Sequence, residues 1–197
     1  MSRYLTVGIL AEGPEDEIFL STVAVRQLKQ LTARHDDPFD VSDTPLRSRY
    51  STARTAHEQI CAEAADLAGD CDLLLIHNDH RERNKIEKIR QDVVLPSHCR
   101  IVPVVPVRET EAWLLADGHL LRSLPGVTPA CVPADARDIE RTADPKALLA
   151  QVLPGGDSRE LAEFLGERID LDRLRTLPAY QMWCAELTAA LKELRFL

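Results

Sequence analysis

Three short, continuous apolar runs constrain this chain more than any other feature: YLTVGILA at 4–11, CDLLLIHND at 71–79 and CRIVPVVPV at 99–107. Each is rich in aliphatic side chains and too short for an amphipathic helix, so each reads as a buried strand. Helical patterns fill the intervals. After the first run, 14–33 places Leu20, Ala24, Leu28 and Leu31 on one face, with Pro14 at the first helical position and acids in the first turn. FDVSDTPL at 39–46 is a weak strand. It is followed by a helix over 52–70 with Ala56, Ile60, Ala64 and Leu67 on one stripe and Gly69 near its end. A charged helix at 81–94 and another at 109–124, which Gly118 interrupts, complete the alternation. Strands joined through helices pair in parallel, because a parallel partner is reached only by a long crossover. The expectation is an α/β protein: an open, mostly parallel sheet with helices on both faces. Pro103 and Pro106 make the last strand either an edge strand or an irregular one.

Beyond residue 121 the texture changes. Residues 1–121 read as the α/β domain, 122–142 as a connector, and 143–197 as a helical subdomain packed on the first, opened by the cap Asp144-Pro145 and carrying Trp183, Leu187, Leu191 and Leu194 on one stripe. A length of 197 residues suits one domain with such an appendage. The formal charge of −8 argues against a protein that wraps nucleic acid on a broad basic surface. Nucleic acid would be engaged through a local site, a metal or a partner protein. None of the five cysteines sits in a C-x-x-C pair, so neither a zinc knuckle nor a disulfide framework is indicated. The N-terminal residues lack signal-peptide architecture and no apolar run reaches membrane-spanning length, which predicts a cytoplasmic protein with no membrane partner.

In a parallel sheet the loops leaving the C-terminal strand ends open on one edge, where ligands bind. Three of those loops carry acids. The first strand runs into Glu12, followed by Glu15, Asp16 and Glu17; the strand at 71–79 runs into HNDHRER, with Asp79 and Glu82; the last runs into VRETEAW, with Glu109 and Glu111. Carboxylates gathered on one edge repel unless a cation sits between them, and oxygen ligands of this kind select Mg²⁺ or Mn²⁺. Arg81, Arg83 and Arg108 stand nearby to hold phosphate oxygens. Plainer roles compete at each position: the acids after Gly13 complement a helix dipole, Asp79 or Glu111 caps the helix that follows, and His77 and His80 lack the spacing of a helical zinc pair. A phospho-acceptor receiver domain, with Asp79 as acceptor, lacks a clear candidate for the lysine such domains use.

ILAEGPEDEIFL, LLIHNDH, VPVRETEAWLLAD, ADPKALL and RIDLDRLRTLPAYQMW together resemble a widespread family of prokaryotic Toprim-like proteins built on a domain of unknown function, related to the Toprim domains of topoisomerases, primases and OLD-type nucleases. ETEAWLLAD is the most specific of these segments. The resemblance implies a Toprim-like fold and a Mg²⁺ or Mn²⁺ site. Glu12 matches the leading glutamate, Asp16 the second acid of the Glu-Gly-x-x-Glu turn, Asp79 the first acid of the Asp-x-Asp motif, and Glu111 the glutamate before Ala-Trp. Arg81 stands where the second aspartate of that motif is expected, and a guanidinium would oppose an ion at close range. The implied function is a metal-dependent nuclease or phosphoryl-transfer protein acting on nucleic acid, in a prokaryotic defence or mobile-element system. Glu12, Asp79 and Glu111 would be catalytic, with Arg81 or Arg108 on phosphate. The alternative is a catalytically degenerate module that binds a partner protein, nucleotide or nucleic acid without turnover.

Overall fold

The computed structural model describes residues 3–35, 39–79 and 83–197. Their elements are β1 (Tyr4–Leu5), β2 (Val7–Leu10), α1 (Pro14–Thr32), β3 (Asp40–Val41), β4 (Leu46–Arg47), α2 (His57–Asp70), β5 (Leu73–His77), α3 (Arg83–Asp92), β6 (Arg100–Val104), α4 (Glu111–Leu114), α5 (Gly118–Arg122), α6 (Ala136–Ile139), α7 (Pro145–Val152), α8 (Ser158–Arg168), α9 (Leu171–Leu174) and α10 (Pro178–Glu193). A 3₁₀ turn at Pro129–Cys131 lies between α5 and α6.

β4, β2, β5 and β6 form a four-stranded sheet in that order, and β1 pairs with β3 in a two-stranded extension. All of these pairings are parallel. β1 and β2 are one run of chain broken at Thr6, whose N–H and hydroxyl both donate to Asp72 Oδ2 at 2.7 Å. The weak strand read at 39–46 appears as β3 and β4. By order of appearance the strand runs stand second, first, third, fourth across the sheet. The order reverses between β2 and β5, which places the crevice for a ligand at their C-terminal ends.

Alternation along the strands builds two cores. Val7, Ile9, Leu73, Leu75, Val102 and Val104 face α1 and the C-terminal helices. Leu10, Leu74, Ile76 and Ile101 face α2 and α3, supplied by Ile60, Ala64, Ile86 and Ile89. The mixed α/β architecture with parallel strands flanked by helices is thus present. The continuous Leu73–Ile76 run follows from burial on both faces.

The C-terminal helices join the first core. α8 lies along α1, and Gly166 makes the approach possible: a Cβ there would stand 3.2 Å from Thr22 Cβ and 3.4 Å from Phe19 O. Arg26 of α1 closes the end of α8, donating to Gly166 O and Ile169 O at 2.7 Å each. Trp113 of α4 packs edge-on against Tyr180 at a centroid distance of 5.0 Å, and Trp183 completes the aromatic cluster 5.8 Å from Trp113. The helix read at 109–124 divides into α4 and α5, and the division falls at Asp117, which caps α5 by accepting from Leu120 N at 3.0 Å. No helix among the described residues is long and apolar enough to cross a membrane.

Candidate metal centre

The acids of the first strand–helix turn are held from both sides. Gly13 is the N-cap of α1 and Pro14 its first residue. Asp16, at the third helical position, turns back toward Gly13, where the Gly13 N–H and the Thr110 hydroxyl favour its charged form. A Cβ on Gly13 would lie 3.0 Å from Asp16 Oδ2, so the glycine leaves room for that return. Glu12 is fixed by the neighbouring strand end: its Oε2 accepts from the Asp79 N–H at 3.0 Å and from Asn78 Nδ2 at 3.5 Å. The segment after β4 straps the same corner. Ser51 donates to Glu12 O, while Thr52 donates from its N–H to Ala11 O and from its hydroxyl to His77 O, each at 3.0 Å.

His77, wholly buried at the end of β5, is the hinge of this network. Its Nδ1 accepts from the Glu12 N–H at 3.4 Å, which leaves Nε2 as the donor to Thr110 Oγ1 at 3.1 Å. The Thr110 hydroxyl in turn favours the charged form of Asp16. One neutral imidazole therefore ties the β2 end to the loop before α4. Burial lowers its pKa to about 4, against the pull of Glu12, consistent with an uncharged ring.

Glu12, Asp16, Asp79, Glu109 and Glu111 line one cleft of about 370 Å³, with Arg54, Lys146, Thr110 and Ser158 on its walls. Their electrostatics are strained. Burial, and then the charges of Glu12, Asp16, Glu109 and Glu111, push the Asp79 carboxyl up to about 7. Burial raises Asp16 to about 6, aided by Glu12 and Glu15 and opposed by the Thr110 and Gly13 donors. Glu111 is also raised, chiefly by burial and against the nearby Lys146. Beside Glu12, Asn78 is fully buried, and its Oδ1 has no hydrogen-bond partner among the described residues. An orphaned oxygen beside crowded carboxylates fits a hard divalent cation, which takes oxygen ligands and keeps several waters. The acids are not drawn tightly together. Among the described residues, the group whose ligand atoms lie within 4.8 Å of one another is His57, Cys61 and Asp92, on another face. An ion in the cleft would be reached by one or two carboxylates directly and by the others through water.

The structure thus brings Glu12, Asp16, Asp79 and Glu111 to one cleft. Arg108 has positive φ (69°) and turns toward the start of the C-terminal segment, donating from Nη1 to Ala143 O at 3.4 Å, and it is not among the residues lining the cleft. Arg81 lies outside the described residues, as do His80 and Glu82. Sequence reasoning passed over Arg54 and Lys146 as cleft cations. Lys146 Nζ stands 3.8 Å from Glu111 Oε1, and its backbone N–H donates to Glu109 Oε2 at 3.2 Å. The signal was present for Lys146, as the first residue after the Asp144-Pro145 cap, but nothing in the sequence tied α7 to the sheet edge. A larger hollow of about 780 Å³ lies beside α5 and α9. Its Arg122 is occupied by the carbonyls of Gly118, Val132 and Pro133, and its Arg175 by Asp172, Gln27 and Gln30, so it offers less free chemistry.

Fold and cleft together define an α/β protein with an acidic cleft at the point where strand order reverses. The chain belongs to the DUF4276 family, a domain of unknown function, whose model matches residues 11–188. No curated protein and no solved structure matches it. The family match carries no tie to the Toprim fold.

Proposed function

We propose that the cleft binds Mg²⁺ or Mn²⁺ and serves phosphoryl-transfer or phosphodiester chemistry on nucleic acid. The observation that carries this reading is the arrival of Glu12 with Asp16, Asp79, and Glu111 from three separate loops at one crevice. Glu12, Asp79 and Glu111 would hold the ion, with Asp16 alongside. A cation bound there neutralises charge on a phosphoryl group and lowers the pKa of a coordinated water. The chain's own groups do the rest. His77 and Thr110 orient Glu12 and Asp16. Arg54 and Lys146 are the cleft cations placed to take phosphate oxygens, one by a planar fork and one as a point charge. An acidic chain with this local site would engage nucleic acid best at low salt.

A second reading is a module that binds without turnover. It is favoured by Lys146, which already offsets Glu111, and by the wide spacing of the acids. Arg81, in place of the second aspartate of the resembled motif, points the same way.

Thermal unfolding across a Mg²⁺ and Mn²⁺ titration, alongside cleavage of single-stranded DNA, double-stranded DNA and RNA, separates the two. An ion bound only by the folded state raises the melting temperature with its concentration. The enzyme reading expects a rise, and metal-dependent cleavage, both lost in Glu12→Gln and Asp79→Asn. Metal-independent binding to any of the three substrates, with no cleavage, selects the module. A melting temperature that ignores both ions, or rises equally in Glu12→Gln, defeats the metal site.

A further inference from the structure

We propose that His57, Cys61 and Asp92 form a second cation site, separate from the acidic cleft, which takes Zn²⁺ or a similar borderline-soft divalent ion and fastens α2 to α3. His57 and Cys61 are four residues apart on α2 and so share a face, while Asp92 arrives from the end of α3. Their ligand atoms all lie within 4.8 Å of one another.

The distances suit the ion. Tetrahedral zinc with ordinary Zn–S and Zn–N bonds sets sulfur and nitrogen about 3.6 Å apart. Cys61 Sγ and His57 Nε2 are 3.5 Å apart. The same geometry sets nitrogen and carboxylate oxygen about 3.3 Å apart. His57 Nε2 and Asp92 Oδ2 stand at 2.7 Å, closed on a shared proton, and would open slightly as an ion replaces it. One thiolate, one carboxylate and a neutral imidazole balance a dication: the thiol proton is released to solvent, the proton between His57 and Asp92 leaves Nε2 so that the neutral ring carries its hydrogen on Nδ1, and the fourth position is open to water.

A second observation points to a ligand. His57 begins α2 and Asp92 ends α3. Helix dipoles favour the reverse, acids at the start and cations at the end, so neither residue is placed to complement its own helix. Glu58 and Asp92 both bring negative charge to the Cys61 thiol, beside burial, so the three residues gather acidic character around one sulfur. An ion among the three residues suits both features.

The probe is Co²⁺, added to the full chain under a non-thiol reductant. A bound thiolate gives an intense near-ultraviolet charge-transfer band, which Zn²⁺ should then displace. The band is expected in wild type, in Cys131→Ser and in Glu12→Gln, and is expected to vanish in Cys61→Ser. His57→Asn and Asp92→Asn should each weaken Co²⁺ affinity by more than the ~10-fold that loss of an outer-shell partner costs. Asp92 is exposed, so that variant retains the fold. Absence of the band in wild type, its persistence in Cys61→Ser, or unchanged affinity in both His57→Asn and Asp92→Asn would overturn the site.

Discussion

At the scale of single residues, the cleft stores repulsion that a cation or a proton relieves. The Asp16 and Asp79 carboxyls have an ordinary value of 3.8 and are raised in the fold to about 6 and about 7. Between those limits the folded protein holds more protons than the unfolded chain. Stability contributed by these groups is therefore present at acid pH and lost as pH rises through the folded values. The expected outcome is that metal-free Asp79→Asn gains on wild type as pH rises, with the gap larger at about pH 8 than at about pH 5 in denaturant titrations. A gap that is constant or shrinks with pH would show that neither burial nor the neighbouring acids raise Asp79. His77 is neutral because of its burial, against the pull of Glu12, and a charged ring would need the proton that its acceptor role toward Glu12 N–H excludes.

At the scale of elements, the helices that matter to the cleft are positioned by caps and close approaches. Asp144 accepts from Ala147 N at 2.7 Å, starts α7, and so sets Lys146 over Glu109 and Glu111. Truncating that cap by Asp144→Ala should cost about 1 kcal/mol of stability. α1 and α8 meet at Gly166, where any larger side chain must displace Thr22 or the Phe19 backbone. Gly166→Val is expected to lose about 1–3 kcal/mol through overpacking, measured by chemical denaturation. A neutral outcome would mean that α8 can shift away from α1 without loss.

For the whole molecule, the C-terminal helices are part of the core. Trp113, Tyr180 and Trp183 join α4 to α10, and the Tyr180 hydroxyl donates to Gln27 of α1 at 3.0 Å. Trp113 is fully buried. Trp113→Ala should therefore destabilise by about 3–5 kcal/mol. It also follows Glu111 by two residues, so loss of this anchor should loosen one wall of the cleft. A variant that melts like wild type would show that α4 is held by other contacts.

Much of this was legible in the sequence, and the rest was not for definable reasons. The runs ending at Leu10, His77 and Val104 announced parallel strands because both faces of the sheet are covered, which makes the apolar pattern continuous. Given parallel strands, the loops carrying Glu12, Asp79 and Glu111 had to open on one edge, whatever the details of packing. Strand order was not legible. The weak segment that became β3 and β4 has too little apolar signal to say which flank it takes, and only pairing across β1 and β2 put the reversal beside Glu12 and Asp79. The partnerships of His77 with Thr110 and of Lys146 with Glu111 join residues 33 and 35 positions apart. Local periodicity holds no information about such distant neighbours. The sequence by itself determined the layers, the buried runs and the acids at the strand ends, because these follow from short-range pattern and the chirality of parallel connections. The tertiary structure alone decided which cations enter the cleft and how far apart the acids stand, because those depend on where the packing of α4, α7 and α8 carries side chains from separate parts of the chain.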